Sequence, residues 1–104
     1  EIILIHGDGR QERDFIHVDD VCEFIRLALS HKEKIDDPVD IGTGIGTNMI
    51  DLARMCRHDS AFTEPRDAGS TSSIADVTEA KKLFGYKAPN RIQSYLDTDP
   101  SLLS

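Results

Sequence analysis

The residues of this chain with chemistry to offer begin with Arg13 and Arg66. Arg13 follows a glycine-bearing turn, Gly7-Asp8-Gly9, and precedes an apolar stretch from Phe15 to Val18. An arginine held between such features is aimed, and its planar fork of donors matches a phosphate. An ion pair with Asp14 or another carboxylate is the plainer use, and residue type alone favours it. Arg66 falls in a long polar loop, where ligand-binding side chains are commonly carried.

Other candidates weigh less. Asp19 and Asp20 suggest acid–base work or a metal, but acids just ahead of an amphipathic helix cap its free N–H groups. His6 and His17 add no recognised ligand spacing, so no metal is assigned. His31 and His58 lie in polar contexts and read as solvated. Gly42-Thr43-Gly44-Ile45-Gly46 resembles a dinucleotide-binding turn only superficially, because its third glycine comes too early for GxGxxG. A tight strand-to-helix turn explains it better. Tyr86 and Tyr95 are followed at the fourth position by Asn90 and Asp99, so no Tyr-x-x-x-Lys pair is present. Cys22 and Cys56 have no CxxC spacing and are expected to be buried thiols on helix faces.

These residues sit on a chain of 104 residues, enough for one domain with a modest core. A hydrophobic fraction of 38% with 30% charged residues is that of a folded protein rather than a disordered tail. The net charge of −7, with no basic stripe or interleaved aromatics, argues against nucleic acid as the partner. A single phosphorylated small molecule is compatible with it, since one placed arginine acts locally. No apolar run approaches the roughly 20 residues of a membrane span. The opening stretch Ile2 to Ile5 is too short for a signal peptide, and the chain is expected to be cytoplasmic. Its start at Glu1 reads as a fragment or a processed chain.

The elements that must position these side chains alternate. Ile2 to Ile5 reads as a buried strand ended by the Gly7-Asp8-Gly9 turn, and Phe15 to Val18 as a second extended piece. Asp19 or Asp20 then caps a helix carrying Val21, Phe24, Ile25, Ala28 and Leu29 on one stripe. Val39 to Ile41 reads as a short strand entering the glycine turn. Thr47 or Asn48 caps a helix with Met49, Leu52, Ala53 and Cys56 on one face. The span from Arg57 to Ser73 reads mostly as loop. Asp76 and Glu79 form a capping-box-like start to a helix through Phe84, stopped by Gly85. A last helix is predicted over Arg91 to Leu96, with a frayed tail over 97–104. The fold class is therefore α/β, with two or three short strands and three to four helices. So thin a sheet beside so many apolar helix faces points to a missing upstream part.

Three blocks carry a family resemblance. The run from Gly7 through Arg13-Asp14-Phe15-Ile16-His17-Val18-Asp19-Asp20-Val21 resembles the GDG-x-Q-x-RDF segment of nucleotide-sugar epimerases and dehydratases. These belong to the extended short-chain dehydrogenase/reductase family. Asp40-Ile41-Gly42-Thr43-Gly44 is similar to its N-[IVL]-G-[TS]-G. Pro65-Arg66, Ala75-Asp76 and Ala80 through Tyr86 to Pro89 are similar to its ending. The blocks keep the family's order and spacing over nearly the whole chain.

The resemblance implies a partial Rossmann-type fragment in which residues 1–96 are the C-terminal nucleotide-sugar-binding portion. It implies that Arg13 contacts the diphosphate of the bound nucleotide sugar (UDP-, dTDP- or GDP-linked), and that Arg66 reaches its phosphate or ribose. Ala68 and Gly69 stand where the family has a glycine and an acid, so no ribose-binding carboxylate is carried over. It implies NAD in the full-length parent, bound by an N-terminal cofactor-binding domain that this chain lacks. The chain alone is expected to bind no cofactor and to carry no catalytic residue. An exposed apolar surface and self-association, including a homo-oligomer, are expected in its absence. A non-catalytic interaction module on the same scaffold is the alternative. A small nucleotide-binding enzyme using Gly42 to Gly46 is a further one.

Overall fold

A computed structural model describes residues 2–65 and 72–98. Its elements are β1 (Ile3–His6), β2 (Glu12–Arg13), α1 (Val18–Ser30), β3 (Thr47–Asn48), α2 (Met49–Met55), β4 (Ser60–Thr63), α3 (Thr78–Phe84) and α4 (Ile92–Thr98). The α/β class is as expected, and among the described residues the strands number four.

β1 forms where the β-branched run predicts it, shifted by one residue. Its partner is β4, in parallel register from Ile3 opposite Ser60 to His6 opposite Thr63. β4 lies inside the span expected to be loop. Its Phe62 is 59% exposed, so it buries no apolar face that a pattern would reveal, and backbone pairing alone defines it. The second sheet is a two-residue antiparallel pair, β2 with β3, placing Arg13 opposite Thr47. Ser73 adds a parallel bridge to Arg13 from the other side. The extended piece expected over Phe15 to Val18 is irregular, and the ladder lies just before it. Val39 to Ile41 also forms no strand. Val39 and Ile41 pack instead against the cluster around Phe24.

α1 begins at Val18, so its cap is His17 rather than either acid. His17 Nδ1 accepts from the Asp19 N–H at 3.0 Å. Both acids fall in the first turn, where negative charge suits the helix dipole. Only part of the expected stripe is covered: Phe24 is buried, while Ile25 and Leu29 are 54% and 84% exposed. Cys22 is exposed as well, because at 100° per residue it lies opposite the buried positions Asp20 and Phe24. Cys56 is half-buried.

Asn48 caps α2 by accepting from the Asp51 N–H at 2.7 Å, as expected. α3 starts later than the capping box requires. Its cap position is Val77, which makes no side-chain cap bond, and Asp76 accepts from the Thr78 N–H at 3.1 Å. Gly85 ends the helix in the left-handed conformation, φ 67°, as its sequence position requires. His31 is not simply solvated, since its ring meets Phe84 edge-on at 5.7 Å. α4 runs to Thr98, and the rest of the tail lies outside the described residues.

The core gathers Phe24, Ala80 and Ala88, with Phe84 and Tyr86 packed on it. Phe24 meets Tyr86 edge-to-face at 5.2 Å. The molecule is a thin slab, 50 × 31 × 14 Å, with a radius of gyration of 16.3 Å. A compact domain of this length has about 13 Å. Each element therefore covers one side and leaves another open.

Candidate functional site

Arg13 sits on β2, held on both edges by Thr47 and Ser73. Its Nη1 donates to the Glu12 carbonyl at 2.9 Å. It lines a cleft of about 380 Å³ whose floor is β1, Ile3 to His6, and whose wall is Met49, Leu52, Ala53 and Cys56 of α2 and its end. An apolar floor with a guanidinium in its lining suits a molecule that joins an uncharged ring to an anionic group.

Arg66 lies outside the described residues, but both flanks of its segment are described. Upstream, the Gly7 N–H donates to the Thr63 carbonyl at 3.0 Å, and His6 Nδ1 to that of Glu64 at 3.0 Å. A Cβ on Gly7 would touch Pro65, at 3.8 Å. Downstream, Ser72 Oγ accepts from the Glu12 N–H at 3.0 Å, and Ser73 exchanges backbone bonds with Glu12 and Asp14. Both flanks are thus fastened to the stretch from Gly7 to Asp14.

Asp14 is the residue that sequence reasoning missed. Its carboxylate accepts from Thr43 N–H at 2.9 Å, Thr43 Oγ at 2.6 Å, Gly44 N–H at 2.8 Å and Ala75 N–H at 3.3 Å. Burial works to raise its pKa, but these donors outweigh burial and hold it below the ordinary value. Separations of 29 to 61 residues left no local signal of this.

The glycine turn does not fit the pyrophosphate of a dinucleotide. A Cβ on Gly42 would stand 2.6 Å from both Ala75 Cβ and Asp14 Oδ2, and one on Gly46 2.6 Å from Ile74 Cδ1. The glycines therefore answer to the chain's own close packing. The amides opening α2 are also engaged, those of Met49 and Ile50 by the Gly9 carbonyl and that of Asp51 by Asn48.

The Tyr86 hydroxyl is engaged within the chain. It donates to Asp20 at 2.5 Å, and that bond, then burial, raises its pKa. Asp20 also accepts from Arg91 Nε at 2.7 Å, which together with Tyr86 holds it below the usual carboxylate range despite burial. A second cleft of about 300 Å³ borders Arg91, His17 and Tyr95, but the Arg91 charge is committed to Asp20. Among the described residues, no group of three or more His, Cys, Asp or Glu is gathered to hold a metal. No described helix is long and apolar enough to cross a membrane.

The profile of the NAD dependent epimerase/dehydratase family matches residues 1–44, the stretch that carries Arg13, Asp14 and the start of the glycine turn. Over that stretch the chain is similar to that family. Among members of the epimerase/dehydratase family, dTDP-L-rhamnose 4-epimerase of Burkholderia thailandensis is 29% identical over 93 residues, 84% of this chain and 26% of that protein. UDP-glucose 4-epimerase of Lactobacillus helveticus is 31% identical over 88 residues, 77% of this chain and 27% of that protein. The solved structure of MoeE5 in complex with UDP-glucuronic acid and NAD superposes with a TM-score of 0.81 at 29% identity, covering 98% of this chain and 36% of MoeE5. UDP-glucose 4-epimerase of Thermotoga maritima with UDP-glucose gives 0.74 at 31% identity, over 85% and 30%. The chain therefore spans about a quarter to a third of the length of these epimerase/dehydratase relatives, and its slab is a Rossmann-type α/β portion of their fold.

Proposed function

We propose that residues 1–96 are the nucleotide-sugar-binding portion of a longer NAD-dependent epimerase or dehydratase. Arg13 and Arg66 together take the diphosphate of a UDP-, dTDP- or GDP-linked sugar. The observation that carries this reading is the fastening of both flanks of the Arg66 segment to the stretch containing Arg13. Pro65, the last described residue before that segment, lies against Gly7. Two guanidiniums on one diphosphate also offset the repulsion of a chain carrying −7.

The cleft beside Arg13 takes the uncharged part of the ligand on its apolar floor. NAD is held elsewhere in the longer protein, because the glycine turn present here is filled by Ala75, Asp14 and Ile74. The exposed face of α1, with Ile25 and Leu29, and the exposed Ile2 ahead of β1 are what the cofactor-binding domain covers. Without that domain the chain performs no hydride transfer. MoeE5, solved with a UDP-sugar and NAD and alike over nearly all of this chain, supports the reading.

The test is a titration of the isotope-labelled chain with UDP, dTDP and GDP, followed through backbone amide signals. Saturable shifts at Arg13, Arg66 and the cleft residues Leu52 and Cys56 are expected for at least one nucleotide. Shifts confined to Gly42–Gly46, or none, would contradict the proposal and favour the interaction-module alternative.

A further inference from the structure

We infer that Asp14 is the positioning residue of the nucleotide site: its carboxylate ties the Arg13 strand to the glycine turn and to the chain returning from Arg66, so fixing where the Arg13 guanidinium points. This inference rests on the reading above, and it concerns a residue whose own side chain is turned to the protein.

Successive residues of an extended chain project to opposite sides. Arg13 and Asp14 are successive, and Arg13 is in a ladder with Thr47 on one edge and Ser73 on the other. Asp14 continues that ladder through its N–H, donated to the Ser73 carbonyl at 3.1 Å. When one side chain of such a pair is fastened, the other is oriented.

The fastening is thorough. Asp14 Oδ1 takes the N–H and the hydroxyl of Thr43, at 2.9 and 2.6 Å, while Oδ2 takes the N–H groups of Gly44 and Ala75, at 2.8 and 3.3 Å. Thr43 is fully buried, and its hydroxyl also accepts from the Ile45 N–H at 3.1 Å. Gly42 has no room for a side chain because Asp14 and Ala75 occupy that space. β2 has only two residues, too short to hold Arg13 in direction through its own pairing. The carboxylate supplies what the ladder lacks. It also makes the glycine turn a support for the nucleotide site rather than a cofactor site.

The experiment uses Asp14→Asn, which keeps the shape but turns an N–H pair toward donors that need an acceptor. The milder Thr43→Val serves if Asp14→Asn fails to fold. The first readout needs no ligand: the order parameter of the Arg13 Nε–H vector in the labelled chain. It is expected to fall in Asp14→Asn, and to a lesser degree in Thr43→Val, while amide signals of α1 hold. An unchanged Arg13 vector in a variant whose turn amides have moved overturns the inference, whatever the chain binds.

The second readout compares UDP with uridine. Loss of positioning is expected to weaken UDP by about tenfold, the scale of one charge-assisted hydrogen bond, with uridine affinity unchanged. In an Arg13→Ala background the Asp14 change is expected to have no further effect on UDP. Equal losses for UDP and uridine, or full additivity with Arg13→Ala, would mean that Asp14 only stabilises the fold and would overturn the inference. Failure of the wild-type chain to bind UDP counts against the nucleotide reading alone, since the Arg13 vector decides the positioning claim separately.

Discussion

Asp20, only 2% exposed, receives the guanidinium of Arg91 from 71 residues further along the chain, with Nε at 2.7 Å and Nη2 at 3.3 Å. The Tyr86 hydroxyl completes the set. One buried carboxylate thus locks the first turn of α1 to the segment joining α3 and α4. Removing water from a charge is expensive, and its partners are what make the burial tolerable. In a slab with so small a core, that tie holds the C-terminal helices in place.

Arg91→Ala should therefore lower the stability of the chain, and Tyr86→Phe should lower it by less, because Arg91 gives Asp20 two bonds and Tyr86 one. Urea unfolding followed by circular dichroism reads both. An Arg91→Ala urea midpoint unchanged from wild type would mean that the pair is a surface contact of little consequence.

Acid should loosen the fold through the same groups. Asp20 and Asp14 are both held below their ordinary value of 3.8, the first by Arg91 and Tyr86 against burial, the second by donors that outweigh burial. A carboxylate with a folded pKa below its unfolded one stabilises above the unfolded value. That stabilisation is lost as pH falls from the unfolded value through the folded one. The urea midpoint is expected to be level down to about pH 5 and to drop below that, with a smaller drop in Arg91→Ala. A midpoint that rises on acidification would contradict this.

Phe24→Ala removes the ring at the centre of the only described core cluster and should cost about 3 kcal/mol. Leu29→Ser, at a position 84% exposed, should change stability by less than about 0.5 kcal/mol. The same unfolding experiment ranks them, and a comparable loss at Leu29 would show its face to be covered.

The open apolar faces should make the isolated chain self-associate. Sedimentation is expected to give species above 11.6 kDa, and Ile25→Glu with Leu29→Glu to shift them toward monomer. A stable, compact monomer for the unaltered chain would argue that these faces need no cover.

What the sequence disclosed followed local rules. β1, the Asn48 cap, the Gly85 stop and the four helices each announce themselves through adjacent residues. β4 did not, because Ser60 to Thr63 buries little and is defined by pairing with a strand more than fifty residues earlier. The apolar stripe of α1 was legible, but not that Ile25 and Leu29 would stand exposed, since only the folded chain shows which faces have partners. Asp20 looked like a cap and is instead a buried anchor, as its partners Tyr86 and Arg91 are invisible at short range. Asp14 passed as a neighbour of Arg13 for the same reason. Arg13 and the glycine turn were recognised through family blocks, and the packing of that turn follows from the structure alone.

The central claim is that Arg13 and Arg66 act on one diphosphate, and a double-mutant cycle by isothermal titration addresses it most directly. UDP and uridine are titrated into the wild type, Arg13→Ala, Arg66→Ala and the double variant. Each single change is expected to weaken UDP by about tenfold and to leave uridine unchanged, with a coupling between the two changes beyond simple addition. UDP affinity indifferent to both arginines would contradict the account.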